Sequence, residues 1–303
     1  MLPLLLVFAV QAALAEVGSA ACKACHAVHF ERQSATGHAR ALSLPSAHPM
    51  ASKFSALVDF KPEWAFGGGQ QAVTFVSRVR TGAYIEHGLS YYTSLGRMDA
   101  TPGHAAAKGP GVLYPVISGE AEILRCFQCH STGQVRVGEG LRISVTEPGV
   151  RCESCHGPGE KHVFAPGLGN VVNPASYSAA EMNQACGSCH RKPAAAGDNT
   201  DWNDPWNTRH QPLYLAESAC FLKSEGKLSC GTCHDVHGGG AAKPSCGGCH
   251  VKPRHAAATA VVGKKCQSCH MPVVVPRPGL AFANHWIGVY APGRPLRPIA
   301  RGR

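Results

Sequence analysis

Residues 152–156 read Cys152-Glu153-Ser154-Cys155-His156, two cysteines three positions apart with a histidine directly after the second. The same spacing recurs at six further places, so that 14 of the 15 cysteines belong to seven identical patterns. Two thiols at this spacing lie on one turn of backbone and reach the two vinyl groups of a single porphyrin, where they form thioethers. The following histidine is then held beside the ring and binds the iron axially. The sequence therefore predicts seven covalent haem c groups, which would organise the interior.

The predicted haem-attachment residues share the first and fourth positions of the pattern and are Cys22, Cys25, Cys126, Cys129, Cys152, Cys155, Cys186, Cys189, Cys230, Cys233, Cys246, Cys249, Cys266 and Cys269. The predicted proximal iron ligands share the fifth position and are His26, His130, His156, His190, His234, His250 and His270. Numbering the motifs from one to seven in chain order, motif 1 begins at Cys22 and motif 7 at Cys266.

Paired cysteines also occur in two other kinds of site. Zinc sites also contain Cys-x-x-Cys pairs, but zinc gives no reason for a histidine at the fifth position every time. A redox dithiol needs one pair, so seven pairs would be redundant. Cys220 is the one cysteine outside the motifs, and its mildly apolar surroundings predict a buried structural residue.

The supply of histidines predicts the kind of haem. Ten of the 17 histidines lie outside the motifs, whereas methionine, the usual alternative sixth ligand, occurs only five times. His/His ligation lacks the thioether that raises the potential of His/Met cytochromes. We therefore expect mostly bis-His, low-potential haems, with at least three of the ten remaining histidines serving as ordinary structural or surface residues.

The predicted fold is mainly irregular, with short α-helices wrapped around the haem array, because 34 glycines and 22 prolines interrupt regular elements. Apolar and polar residues alternate from Val73 to Val79, which predicts a small β hairpin or meander in the 70–95 region. The expected organisation is a signal peptide at 1–15, a haem 1 region with a β insertion at 16–125, a six-haem region at 126–290 and a basic, Pro-rich, extended tail at 291–303.

The N-terminus predicts export. A short apolar run precedes Ala13-Leu14-Ala15, a small-x-small cleavage pattern, and the run is shorter than the roughly 20 residues of a spanning helix. No later segment is apolar enough to span a membrane. We expect a periplasmic or extracellular protein with no transmembrane segment.

The sequence charge of +10 alone would favour an anionic partner such as nucleic acid. Seven haems would add about −14 from their propionates and about +7 from their ferric cores, leaving about +3 oxidised and about −4 reduced. The expected partners are therefore redox proteins, not nucleic acid, and many Lys and Arg side chains are explained as propionate partners.

Beyond the motifs, the chain resembles the cytochrome c-554 family of multihaem proteins. The similar stretches include Ser34-Ala35-Thr36-Gly37-His38-Ala39, the run from Cys152 through Gly157-Pro158-Gly159 to His162, the stretch from Ser229 to His237, and the segment from His270-Met271-Pro272 to His285. The resemblance covers most of the chain after the predicted signal peptide and is strongest from Cys126 to His285. It implies that His38, His162, His237 and His285 are distal ligands to haems other than those of their own motifs.

Three further distal ligands are expected. His255 follows His250 by five residues, and His87 and His104 lie in an insertion that otherwise contributes no ligand between haem motifs. His29, His48 and His210 are alternates.

The sequence is consistent with three functions. We favour an electron carrier, because ten spare histidines allow every haem to be fully ligated. The resemblance also implies a multihaem oxidoreductase of nitrogen or sulfur compounds, of the nitrite or hydroxylamine type, with one open haem. The third possibility is a homo-oligomer or subunit of an extracellular cytochrome filament.

Overall fold

The structure is a computed structural model that describes residues 15–54, 60–104, 110–167, 169–195, 197–238, 246–251 and 264–299. The helices in this part of the chain are α1 (Ser19–Ser34), α2 (Leu124–His130), α3 (Cys152–His156), α4 (Glu160–Phe164), α5 (Ala179–His190), α6 (Gln211–Ala216), α7 (Ala219–Leu222), α8 (Cys230–Cys233), α9 (Cys246–Cys249) and α10 (Cys266–His270). Every motif has both its cysteines on one of these helices. Positions three apart share a helix face, so each motif presents its two thiols together.

The strands are β1 (Leu42–Ser43), β2 (Trp64–Phe66), β3 (Ala72–Arg80), β4 (Ala83–Tyr92), β5 (Arg97–Ala100), β6 (Gly111–Pro115), β7 (Ser131–Val137), β8 (Ile143–Pro148), β9 (Val273–Arg277) and β10 (Leu280–Ala283). The first six form one antiparallel sheet in the order β1-β2-β3-β4-β5, with β6 paired to the first half of β4. The other four form two separate hairpins, β7–β8 and β9–β10.

The hairpin predicted from the alternation at 73–79 is confirmed as β3–β4. Arg80 pairs with Ala83 across a two-residue turn, in which Gly82 takes a φ of +68° that glycine adopts without strain. The sheet is larger than expected, because β1, β2, β5 and β6 join it through short segments without clear alternation. The hairpin β7–β8 was not predicted, and its register shift between Thr132 and Val135 breaks the period-2 pattern.

The main apolar core lies between the large sheet and motif 2. Phe127, inside that motif, is fully buried and packs edge to face on Trp64 and Phe66, with ring centres 5.5 and 4.9 Å apart. Tyr84 and Ile143 complete the same cluster, joining the sheet to β8. A buried phenylalanine is worth about 3–5 kcal/mol relative to alanine. Packing against the sheet therefore fixes the position of motif 2.

The C-terminal segment folds back beside β10 instead of extending. The fully buried Asn284 donates from Nδ2 to the carbonyls of Pro295 (2.8 Å) and Leu296 (3.1 Å), and the Ile299 N–H donates to Val289 O at 2.7 Å. Residues 291–299 contain one turn, one bend and otherwise irregular backbone. In the described part of the chain, no helix has the length and apolar character needed to cross a bilayer.

Gly149 tests the packing that joins β8 to the loop of His38. Its φ is +83°, and a Cβ there would stand 2.1 Å from the carbonyl oxygen of Ala39. We expect Gly149→Ala to lower the free energy of unfolding by at least about 2 kcal/mol, since backbone strain adds to a steric clash. The control is Gly140→Ala, where φ is +64° and no atom lies within 4 Å of the added Cβ. Denaturant unfolding followed by circular dichroism measures both, and equal losses would contradict the prediction.

Candidate haem sites

Among the residues that the structure describes, four motif histidines each face a histidine from elsewhere in the chain. The ring centres are 6.1 Å apart for His26 and His162, 6.1 Å for His156 and His237, 6.2 Å for His234 and His285, and 5.9 Å for His190 and His38. The first three pairs are nearly parallel, with interplanar angles of 21°, 10° and 22°, and the last is inclined at 63°.

These separations fit an iron between the two rings. A metal-bound imidazole nitrogen lies about 2 Å from its metal, and the ring centre roughly 1 Å further, so rings on opposite sides stand roughly 6 Å apart. All four observed separations are within a few tenths of an ångström of that value. Each such motif histidine also has two cysteines beside it, on the same helix for His26, His156 and His190 and on the helix that ends just before it for His234. This is the donor set that covalent haem requires.

Hydrogen bonds fix the ring orientation of several of these histidines. Nδ1 donates to a backbone carbonyl in His130 (Ala41, 2.9 Å), His156 (Val172, 2.8 Å), His270 (Gly288, 2.7 Å) and His285 (Ala283, 2.9 Å). A carbonyl only accepts, so Nδ1 carries the proton and Nε2 keeps its lone pair for a metal.

Burial keeps several of the same rings neutral. It lowers the pKa of His285 to about 4, against a small opposing effect of the Ala283 carbonyl. Burial is also the largest cause of the lowered pKa of His38 and of His190. The charge of His234 lowers the pKa of His38 further, and the charge of His38 does the same to His190. A histidine must be neutral to bind a metal, so these environments favour ligation at pH 7.

The motifs are in contact with one another through their thiols. The Cys22 thiol lies next to the Cys152 thiol, Cys129 next to Cys189, Cys186 next to Cys230 and Cys246 next to Cys266, while the Cys230 thiol itself donates to Asn183 Oδ1 at 3.1 Å. Burial, reinforced by the neighbouring thiol, raises the pKa of Cys22 and of Cys129 to about 11. Each contact joins two different motifs, namely 1 with 3, 2 with 4, 4 with 5, and 6 with 7.

Two weaker electrostatic contacts connect these pairs. The charges of Cys186 and Cys189 raise the pKa of Cys155 after the larger effect of burial, which places motif 3 beside motif 4. Cys233 has the same kind of effect on Cys246, which places motif 5 beside motif 6. The motifs therefore follow the spatial order 1-3-4-5-6-7, with motif 2 beside motif 4.

The other predicted distal ligands have different surroundings. His87 is fully buried in β4, where its Nε2 hydrogen bonds to the hydroxyl of Ser77 at 2.6 Å. The Nε2 of His104 lies 3.4 Å from a carboxylate oxygen of Glu86. His255 lies outside the described residues. Neither His87 nor His104 is among the four facing pairs.

The structure also describes the surroundings of the three alternate distal ligands, His29, His48 and His210. The His29 ring lies 5.0 Å from the ring of His237, on the motif 3 side of the array. His48 is buried and bonded at both nitrogens, to Gly67 O at 3.0 Å and from the Met50 N–H at 3.1 Å, which makes it a structural residue. Burial, followed by the positive charge of Arg209, lowers the pKa of His210 to about 4.

Sequence reasoning missed residues that hold the motifs in place. Asn183 is buried in α5, accepts the Cys230 N–H at 2.9 Å and donates to Leu228 O at 3.3 Å, so it attaches motif 5 to the helix of motif 4. An asparagine three positions before Cys186 carries no signal of this contact, because its partner is 47 residues away.

Cys220, the cysteine outside the motifs, is half-buried on α7, and burial raises its pKa.

The repeated motifs on short helices, their facing histidines and their mutual contacts define a multihaem c-type cytochrome. Residues 114–157, which contain motifs 2 and 3, match the family described as Cytochrome c554 and c-prime. This match agrees with the resemblance found in the sequence.

Two kinds of relative were found. The chain is 29% identical to the C-type polyheme cytochrome OmcC of Geobacter sulfurreducens over 38% of this chain and 20% of OmcC, so it matches about a fifth of that protein's length. Its fold is shared with the Outer Cell Wall Cytochrome OcwA, with a TM-score of 0.58 at 16% identity, covering 90% of this chain and 79% of OcwA. An undecaheme cytochrome from the S-layer of Carboxydothermus ferrireducens gives a TM-score of 0.57 at 18% identity, covering 93% and 53%. The predicted fold class, short helices with small sheets and irregular segments, is confirmed by these likenesses.

Proposed function

We propose that the protein is an exported heptahaem c-type cytochrome that carries electrons through mostly bis-His, low-potential haems. The observation that carries the proposal is the set of four facing histidine pairs, since a carrier fills both axial positions with protein ligands. When bound, haem supplies one-electron exchange between ferric and ferrous iron.

The proposed ligation pairs each motif with a distant residue. His162 serves motif 1, His237 motif 3, His38 motif 4 and His285 motif 5, as their ring separations support. For motifs 2, 6 and 7, the candidates are the three further distal ligands expected from the sequence, His87, His104 and His255. The Nε2 of His87 bonds to the Ser77 hydroxyl at 2.6 Å, so this residue would have to give up that bond or ligate through Nδ1.

The thiol contacts supply the proposed route. Because motifs 1, 3, 4, 5, 6 and 7 each lie next to the following one, the chain would hold their redox groups in one connected series, with motif 2 as a branch at motif 4. The residues act here by positioning the redox groups, not by reacting. Electrons entering at either end therefore reach the other end without a substrate pocket.

The expected setting is outside the cytoplasm. The relatives named for an outer cell wall and an S-layer support a periplasmic or extracellular location for this chain as well. Redox proteins are the proposed partners at the ends of the array, and nucleic acid is not expected. Assembly into a homo-oligomer or filament is the structural alternative, which native mass measurement distinguishes from a discrete monomer or dimer.

One feature favours the second candidate function, a multihaem oxidoreductase. A cleft of about 660 Å³ is lined by His104, Trp206, Arg209 and Arg277 together with Pro and Gly residues. It lies towards motif 2, since Glu86, which pairs with His104, also raises the pKa of Cys126 after the larger effect of burial. Positive side chains beside an open haem would suit a small anion such as nitrite.

Spectroscopy of the purified ferric protein separates the two functions. For a carrier we expect an intact mass with seven covalent haems, a low-spin spectrum, and no change on adding nitrite, hydroxylamine or cyanide, since no axial position is open. A high-spin signal that shifts with nitrite would replace the carrier with the oxidoreductase. A mass with fewer than seven haems would contradict the heptahaem proposal.

A further inference from the structure

A buried carboxylate lies between motif 1 and motif 3. Glu153, at the second position of motif 3, is only 7% exposed. Its Oε1 accepts the N–H groups of Val17 at 3.0 Å and Gly159 at 2.7 Å, and its Oε2 accepts the Gly18 N–H at 2.8 Å. Two of these donors lie directly before α1, the helix that carries motif 1. Glu153 therefore holds the start of one motif helix against another motif helix.

A second carboxylate strengthens the same attachment. Glu147, at the end of β8, accepts the Ser19 N–H at 3.0 Å and the Ser19 hydroxyl. Arg151 lies 3.5 Å from Glu147 and offsets its charge. Among the ion pairs of the described residues, none includes Glu153. Its charge is balanced by backbone N–H groups and by the positive end of the α1 dipole.

The Glu153 charge lies close to both sets of thiols. Glu153 follows Cys152 directly in the sequence, and its charge is one of the causes that raise the pKa of Cys22, after burial and the contact with Cys152. A ferric haem core carries one positive charge more than a ferrous core, so a nearby buried anion favours the ferric form. Electrostatic interactions at a partly buried site are screened less than those in water.

We propose that Glu153 is a positioning residue that fixes motif 1 against motif 3 and keeps the potentials of both their haems low. This inference rests on the proposed function, because it requires haem on both motifs. It assigns to one side chain two effects, a structural attachment of α1 and an electrostatic bias on two neighbouring redox groups.

The test is a redox titration of Glu153→Gln in the full-length holoprotein. The glutamine has the same shape but no charge, so we expect two of the seven potentials to rise. A tenfold change in each reduction equilibrium constant corresponds to about 59 mV for one electron. Glu160→Gln is the matched control, because Glu160 carries the same charge directly after Gly159, while its one bond among the described contacts is exposed and goes to Ala15, which leaves with the predicted signal peptide. Removing the Glu160 charge should shift every potential by less than a third of the rise expected in Glu153→Gln, since exposed charges are screened.

A second variant covers the case in which the glutamine protein does not accumulate. Glu153→Asp keeps the charge but is one methylene shorter, so the bonds to Val17 and Gly18 are lost. We expect both potentials to stay low while the magnetic coupling between the two haems, measured by electron paramagnetic resonance, weakens. Unchanged coupling in this variant would overturn the positioning role.

The outcomes separate this inference from the proposed function. If Glu153→Gln retains seven haems and all seven potentials match those of the unaltered protein, the electrostatic role fails and the carrier function stands. If the unaltered protein itself lacks covalent haem on motifs 1 and 3, the proposed function fails first.

Discussion

Replacing His285 by methionine is expected to raise the reduction potential of the haem on Cys230 and Cys233. The His285 ring stands 6.2 Å from that of His234 and nearly parallel to it, which is the separation expected across one iron. Thioether ligation favours ferrous iron relative to imidazole. The expected rise is on the order of 100 mV, a fraction of the roughly 0.8 V over which axial ligands set haem potentials.

The measurement is a redox titration combined with a haem count. The fold should persist, because the backbone of this segment is held independently: the Ser218 hydroxyl donates to His285 O at 2.7 Å and accepts the Ile287 N–H at 2.7 Å. His210→Met is the control, since His210 lies outside the four pairs and should leave every potential in place. Seven unmoved potentials in His285→Met would show that His285 is not a ligand.

The local chemistry of the sites was predictable from sequence, because each motif is complete within five residues. Thiol spacing requires only one helical turn, and every motif indeed has its two cysteines on a helix. The alternation at Val73, Phe75 and Val79 likewise predicted the β3–β4 hairpin, since a half-buried strand has a period of two. Residue types and short spacings were sufficient in both cases.

The arrangement of the motifs was not predictable in this way. Cys22 contacts Cys152 across 130 positions of sequence, while motifs 1 and 2, which are consecutive in the chain, are not joined by any of the thiol contacts described above. Such contacts depend on how the sheet and the N-terminal helix pack, and no spacing records them. The resemblance to cytochrome c-554 proteins picked out His38, His162, His237 and His285, and the structure brings each of them against a distant motif histidine.

Glu153 shows a further reason why sequence reasoning falls short. Haem attachment does not constrain the two positions between the cysteines of a motif, so the motif predicts no role for the residues there. Only the fold reveals that this carboxylate is buried and bonded to three backbone N–H groups. The sequence shows only a charged residue inside the motif, and two of the three groups that bond to it, the N–H groups of Val17 and Gly18, belong to residues more than 130 positions away.

His38→Ala should change the spin state of one haem, whereas His48→Ala should lower only the stability of the fold. Comparing the two variants therefore tests whether His38 is a ligand. The His38 ring lies 5.9 Å from that of His190, and the backbone bonds of His38, from Ala41 at 3.0 Å and Val150 at 2.8 Å to its carbonyl, survive in alanine. We therefore expect the alanine variant to keep its haem content but to convert one haem to a high-spin ferric form, because the iron loses its sixth ligand.

His48, ten positions further along the chain, is also buried. In the described contacts, its two ring nitrogens bond to Gly67 O and to the Met50 N–H. Its removal should lower the free energy of unfolding by about 1–3 kcal/mol, because buried hydrogen-bonding groups lose their partner, while the spin state stays unchanged. Added imidazole should restore the low-spin spectrum of His38→Ala by filling the open position, and it should have no effect on His48→Ala. A low-spin spectrum in His38→Ala without added imidazole would mean that another group binds this iron, and the pairing of His38 with His190 would then be wrong.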